Sequence, residues 1–112
     1  MDTLNSENMN KIISERLAVI NPLKVILFGS HARGSADANS DIDLLVVLNV
    51  EGYPRSFKER MENHRKVCRL LKDINAAVPM DILVFTIDEW RNFLKEGSSF
   101  AVEVLNNGKA IA

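Results

Sequence analysis

The chain has 112 residues, of which 46% are hydrophobic and 26% charged, a composition typical of a single globular domain spanning 1–112 and not of a disordered chain. Its formal net charge of −1 lacks the basic excess of proteins that coat nucleic acid, so no direct nucleic-acid binding is expected. The apolar runs are too short to cross a membrane, and one cysteine, Cys68, fits the reducing cytoplasm.

The first half of the chain predicts a helix, a strand, a short helix and a second strand. Apolar residues recur at steps of three and four from about Ser6 to Ile20, which is the spacing of a helix packed on a core. Lys24–Phe28 and Ile42–Leu48 are short apolar runs rich in β-branched residues, a pattern that favours buried strands. Between these runs, Ser30 is expected to open a short helix.

The second half begins with a long helix and a third strand. Ser56 and Glu59 form a capping-box pattern ahead of an apolar stripe that continues to Ile74. The pattern predicts one helix of about five turns. Met80–Phe85 then repeats the buried-strand pattern.

Two shorter helices follow the third strand. Thr86 or Asp88 is expected to cap the first of them, and we interpret Asp88 as a helix cap instead of a site residue. Gly97 interrupts this helix, and a final amphipathic stretch over 99–106 stops at Asn107-Gly108.

Several residues that are often functional fall on apolar stripes. His64 and Cys68 lie on the stripe of the long helix, where a hydrogen-bonded, half-buried histidine and a core cysteine are expected. Trp90 and Phe93 are likewise expected in the core, with a groove for a partner as the alternative.

Two aspartates, Asp41 and Asp43, lie two residues apart at the start of the second strand. Alternate residues of a strand point to the same face, so both carboxylates share one face and repel each other. A divalent cation removes this conflict, and hard oxygen ligands suit Mg²⁺. Taken alone, the pair favours a turn-and-cap motif after Ala38-Asn39-Ser40.

A third aspartate, Asp81, begins the third strand, and Gly29-Ser30 ends the first. If all serve one site with Asp41 and Asp43, strands one and two must run antiparallel and strands two and three parallel. The segment between the last two strands is long enough for a helical crossover. A mixed sheet with helices packed on it follows, with the site on one sheet edge.

The segment Phe28-Gly-Ser-His-Ala-Arg-Gly34 has the composition of a phosphate cradle. Glycine lets the backbone approach a ligand, and the first N–H groups of a short helix attract phosphate. Arg33 is close enough to add a bidentate phosphate contact, with an ordinary surface arginine as the alternative. A cradle that faces three carboxylates is the layout for metal-assisted displacement at phosphorus.

This layout resembles the nucleotidyltransferase signature of the DNA polymerase β superfamily. Gly29-Ser30, ten further residues and then Asp41-Ile-Asp43 follow that signature, and the longer string GSHARGSADANSDIDLLVV is similar to the minimal nucleotidyltransferases, the MNT family. The likeness covers nearly the whole chain. It implies the polymerase β-like nucleotidyltransferase fold, an α/β (α+β) architecture with a small mixed sheet of three or more strands and helices packed on it.

The resemblance also implies roles for individual residues. In that family the first two aspartates bind magnesium and the nucleotide's phosphates, while the third completes the metal site and helps to activate the attacking hydroxyl. The implied catalytic and metal-binding residues are Asp41, Asp43 and Asp81. The implied nucleotide-binding residues are Gly29, Ser30, Arg33 and Ser40.

The partners implied are ATP, Mg²⁺ and a second protein. Many MNT proteins are encoded beside a HEPN-domain RNase toxin, and as antitoxins they can transfer AMP from ATP onto it. We therefore expect transfer to a hydroxyl, a tyrosine of such a toxin, in the cytoplasm and without a membrane, with homo- or hetero-oligomers left open. Two rivals are an antitoxin of this fold that acts by binding alone and an enzyme that modifies a small molecule such as an aminoglycoside.

The positive charge is unevenly distributed along the chain. Seven of the 14 lysines and arginines lie between Arg55 and Lys72, against Glu59 and Glu62. The solvated face of an amphipathic helix explains such a bias, and a surface for an acidic partner or for RNA is the alternative.

Overall fold

A four-stranded mixed sheet lies at the centre of the protein, for which a computed structural model describes residues 6–34 and 41–112. The strands lie in the order β3-β2-β1-β4. Their bounds are β1 Lys24–Phe28, β2 Ile42–Val47, β3 Met80–Phe85 and β4 Lys109–Ala110. The first three were predicted, with β2 one residue shorter than expected.

Strand directions agree with those required by a shared site. β1 pairs antiparallel with β2, and β2 pairs parallel with β3. The short strand β4 was not predicted. It pairs antiparallel with β1, where Leu27 lies opposite Lys109.

Six α-helices cover the sheet within the described ranges. Their bounds are α1 Ser6–Leu17, α2 Gly29–Arg33, α3 Phe57–Leu70, α4 Lys72–Ala77, α5 Ile87–Glu96 and α6 Ser99–Asn107. None of these helices is both long enough and apolar enough to cross a membrane.

Alternation along the strands separates two apolar layers. On one face, side chains of the strands pack against α1, α3 and α4, in a cluster that includes Ile13, Leu17, Val25, Ile42, Leu44 and Val67. On the other face they pack against α5 and α6, in a cluster that includes Ile26, Phe28, Leu45, Val47, Trp90 and Val104. Trp90 is buried as predicted, and Phe93 packs partly buried against the same cluster.

The first helix is shorter than predicted. The expected helix ran to Ile20, whereas α1 ends at Leu17 and the chain continues as a 3-10 turn over Ala18–Ile20. Asn21 closes this turn in the left-handed region, with φ 47° and its N–H bonded to the carbonyl of Ala18. Asparagine tolerates that conformation better than most residues, so it ends the helix here.

The predicted five-turn helix is broken at Leu71. There φ is −112° and ψ is 11°, and the N–H of Leu71 bonds to the carbonyl of Cys68 in a tightened last turn. Arg16 of α1 spans the break, because its Nη1 contacts the carbonyl of Leu70 (3.4 Å) and its guanidinium binds Asp73 in a bidentate pair (2.5 and 2.8 Å). Residues distant in sequence therefore fix where α3 ends.

Capping is confirmed for the long helix, and of the two caps predicted for α5 the first is confirmed. Ser56 accepts a hydrogen bond from the N–H of Glu59 as predicted. Thr86, and not Asp88, caps α5: it forms a reciprocal capping box with Glu89. Asp88 was wrongly interpreted as a cap because it already lies inside the first turn, where its carboxylate instead accepts from the N–H of Gly52.

The ion pair between α1 and α4 generates a pH prediction. The hydrogen bond from Arg16 is the main cause that lowers the pKa of Asp73 from 3.8 to about 2. A carboxyl with a depressed folded-state pKa stabilises the fold above its unfolded pKa and loses that contribution as pH falls through the folded value. We expect Asp73→Asn to lower the urea midpoint at neutral pH. The difference in urea midpoint between this variant and wild type should narrow below pH about 4.

The control for this experiment is Glu51→Gln, which neutralises an exposed acidic residue outside the α1–α4 contact. Its midpoint should track wild type at every pH. A gap for Asp73→Asn that stays constant down to pH about 2 would contradict the assigned role of the ion pair.

Candidate active site

Three neighbouring strands bring Gly29, Asp43 and Asp81, three of the predicted site residues, to one end of the sheet. The last residue of β1, Phe28, lies opposite Asp43 of β2, and Asp43 lies beside Asp81 of β3. Adjacent strands are about 4.8 Å apart, and residues in register point to the same face. The pairing therefore brings Asp43 and Asp81 together on one face, directly beside the start of the segment Gly29-Ser30.

Asp41 lies just before β2 and continues its alternation. The N–H of Ile42 donates to the carbonyl of Pro79 (3.0 Å), which extends the pairing with the β3 side to this point. The side chain of Ile42 is buried in the opposite layer, while Asp41 is exposed. Asp43 is half-buried and Asp81 exposed, so the acidic end of the sheet is open to solvent.

The backbone conformation and close packing at position 29 require glycine. Its φ is +72°, in the left-handed region that favours glycine. A Cβ built at this position would collide with Oδ2 of Asp43. Glycine was predicted here to let the backbone approach a ligand, and the close neighbour observed is the carboxylate of Asp43.

The short helix α2 follows Gly29 at once and begins one residue earlier than predicted. Ser30 is half-buried in its first turn. Gly34 ends the helix with φ 75°, and its N–H bonds to the carbonyl of Ser30. The backbone of Arg33 is the last residue of α2, but its side chain and the whole of Ser40 lie outside the described residues.

An aromatic side chain that no sequence pattern singled out lies beside this end of the sheet. The ring of Phe100, at the start of α6, meets the ring of Phe28 edge-on at 5.4 Å, and α6 packs against α2. Phe100 is 40% exposed. Its position depends on how α6 folds back over β1, and the local sequence contains no signal of that contact.

The chemistry of the donors fits a hard divalent cation. Asp43 and Asp81 supply carboxylate oxygens from adjacent strands, with Asp41 next along the chain, and such oxygens are the ligands that Mg²⁺ prefers. Across the described ranges, no three histidine, cysteine, aspartate or glutamate side chains are grouped so as to hold a metal ion. A shared ion at the three aspartates therefore stays a prediction.

The cysteine and histidine of α3 pack against each other and against the sheet. Nε2 of His64 lies 3.2 Å from the carbonyl of Ile82, as expected of a half-buried, hydrogen-bonded histidine. Cys68 Sγ lies 3.5 Å from His64 Nδ1, and burial raises the pKa of its thiol. A thiol with a raised pKa is a poor nucleophile, so the pair has the character of helix packing.

Comparison with protein families identifies the domain. The family described as "Nucleotidyltransferase domain" matches residues 6–109. This match includes β1 to β3, the first residue of β4 and almost the whole chain. The chain belongs to the nucleotidyltransferase domain family.

Solved structures give the same fold. A Sulfolobus solfataricus protein provisionally assigned as a nucleotidyltransferase has a TM-score of 0.53 and 26% identity, over 78% of this chain and 71% of its own. A toxin–antitoxin structure with AMP-PNP has a TM-score of 0.52 and 21% identity, over 92% of this chain and 72% of its own. A mutant MntA-HpeT toxin–antitoxin structure has a TM-score of 0.48 and 19% identity, over 97% of this chain and 73% of its own. No curated protein matches at comparable significance.

The contact between Gly29 and Asp43 can be tested by adding one methyl group. Gly29→Ala and Gly52→Ala both place alanine at positive φ, +72° and +84°, but a Cβ at Gly52 meets no atom within 4 Å. We expect Gly52→Ala to cost about 1–2 kcal/mol through backbone strain. Gly29→Ala should cost at least about 1 kcal/mol more, because its Cβ also displaces the carboxylate of Asp43.

Urea unfolding of both variants measures the difference, and titration with ATP measures its effect on the site. Equal losses of stability in the two variants would contradict the close packing of Asp43 on Gly29.

Proposed function

We propose that this nucleotidyltransferase-family protein transfers AMP from ATP to a hydroxyl of a partner protein and depends on Mg²⁺. The observation that carries the proposal is the strand register, which puts the Gly29-Ser30 segment, Asp43 and Asp81 at one end of the sheet. Phosphoryl chemistry needs negative charge on the phosphates to be offset and the reacting groups to be held in line.

The nucleotide side of the site would be formed by α2 and the carboxylates of β2. Gly29 and Ser30 hold the triphosphate at the start of α2, with Arg33 and Ser40 as further predicted contacts. Asp41 and Asp43 would hold the metal. Bound Mg²⁺ would supply charge neutralisation at the transferring phosphoryl group.

Asp81 would serve the acceptor. Its exposed carboxylate accepts a hydrogen bond from the acceptor hydroxyl and orients the oxygen toward the α-phosphorus. The new bond joins that oxygen to the α-phosphorus, the bond to the β-phosphate bridge breaks, and pyrophosphate leaves with its electron pair. The hydroxyl proton passes to a base among the carboxylates at this end of the sheet. Asp81 is the predicted group nearest to the acceptor hydroxyl.

The acceptor we propose is a tyrosine of a HEPN-domain toxin, so that the protein acts as an MNT antitoxin in the cytoplasm. The toxin–antitoxin structure with AMP-PNP supports this choice, because a protein of the same fold occurs there in a toxin–antitoxin assembly with a nucleotide analogue. The exposed carboxylates Asp41 and Asp81 support it as well, since an open site can admit a protein side chain.

Substitution of the carboxylates tests the assignment. We expect Asp41→Asn, Asp43→Asn and Asp81→Asn each to lower the rate of AMP transfer by about 100-fold or more, since interactions made to the transition state contribute on this order. Intact-mass analysis of the co-incubated toxin measures the transfer. Asp88→Asn is the matched control, because Asp88 lies in the first turn of α5, after the far end of β3.

Full AMP transfer by the Asp41→Asn, Asp43→Asn double variant would overturn the catalytic assignment. If the double variant transfers no AMP yet still protects cells from the toxin, the protein acts by binding, and the transfer is not what neutralises its partner.

The metal requirement is a separate prediction. We expect EDTA to abolish transfer and added Mg²⁺ to restore it, because the neighbouring carboxylates of Asp43 and Asp81 repel a triphosphate unless a cation compensates their charge. Pyrophosphate release measured after chelation and after readdition checks this. Transfer that persists undiminished in excess EDTA would contradict it.

A further inference from the structure

A groove separate from the carboxylate end lies between the 3-10 turn after α1 and the outer side of α3. It has a volume of about 360 Å³. Its lining, which we call the basic groove, consists of Ile20, Glu62, Arg65, Lys66, Arg69 and Leu70. The helix α3 packs on the face of the sheet that buries Ile42, whereas Asp43 and Asp81 point to the opposite face.

The groove is positively charged in a chain whose net charge is −1. Three cations line it against one carboxylate, that of Glu62. Arg65, Lys66 and Arg69 are exposed, and no acidic side chain within the described ranges is found in a salt bridge with them. By contrast, Arg60 of the same helix binds Glu89 of α5 (2.6 Å). The groove cations are therefore available to an acidic ligand.

The floor of the groove is apolar. Ile20 and Leu70 are half-buried there, and the neighbouring Val19 is 77% exposed. A site for nucleic-acid phosphates gains nothing from an apolar floor and is weakened by the charge of Glu62. A groove with an apolar floor and a cationic rim matches a helix that carries apolar residues on one side and acidic residues beside them.

We propose that the basic groove docks an acidic amphipathic helix of a protein partner. Taking the toxin as that partner rests on the proposed function, but docking does not require the transfer reaction. Because the groove and the carboxylates lie on different faces of the sheet, a partner held at the groove leaves the site open to a second segment of the same partner. Two attachment points raise the local concentration of the acceptor.

The experiment compares two triple charge reversals. The groove variant combines Arg65→Glu, Lys66→Glu and Arg69→Glu, and the matched control combines Lys11→Glu, Lys24→Glu and Lys95→Glu, three exposed lysines outside the groove. Calorimetric titration with the purified toxin should give a Kd about 100-fold weaker for the groove variant. The Kd of the control variant should stay within about threefold of the wild-type Kd, since its reversed charges lie outside the basic groove. Unchanged thermal midpoints confirm that both variants fold.

A third variant, Ile20→Ser, separates a protein ligand from a polyanion. Loss of an apolar contact should weaken binding of the toxin by about tenfold and leave binding of a uridine oligonucleotide unchanged. A groove variant that binds the toxin as tightly as wild type overturns the proposal, as does a wild-type chain that does not bind the toxin. Tighter binding of the oligonucleotide than of the toxin, lost in the groove variant, assigns the surface to RNA instead.

The two proposals fail in different ways. Asp43→Asn should abolish AMP transfer while toxin binding persists, whereas the groove variant should lose toxin binding while ATP binding persists. Unchanged transfer by Asp43→Asn counts against the function alone, and unchanged toxin binding by the groove variant counts against the docking surface alone.

Discussion

The register of β2 between its two neighbours is the constraint on which the site depends. One pairing places Asp43 opposite Phe28, and the other places it beside Asp81. A slip of one residue would turn Asp43 into the apolar layer and expose Leu44, which is fully buried. The burial of Ile42 and Leu44 in one layer therefore fixes the face on which Asp43 lies as firmly as it fixes the core.

The sheet also divides the surface into two parts with different chemistry. One face ends in carboxylates beside α2 and α6, and the other is covered by α3, whose outer side is basic. The negative end suits a cation and a triphosphate, while the positive groove suits an acidic partner. The formal net charge of −1 does not reveal this separation, because it sums charges over the whole chain.

Strand positions and directions could be predicted from the sequence because they depend on local composition and on one requirement, that the aspartates meet. The break between α3 and α4 could not, since it depends on Arg16 reaching Asp73 across 57 positions. The two-residue strand β4 is too short to leave a pattern, and the place of Phe100 depends on tertiary packing. At the site, glycine at position 29 was predicted because it leaves room for a ligand. Its close contact with Asp43 was not predicted.

The most direct test of the central claim is a crystal structure with Mn²⁺ and a non-hydrolysable ATP analogue. The register predicts anomalous density for manganese between the carboxylates of Asp41 and Asp43, with the triphosphate against Gly29 and Ser30. A nucleotide bound elsewhere, or manganese away from these carboxylates, would contradict the assignment of this end of the sheet as the active site.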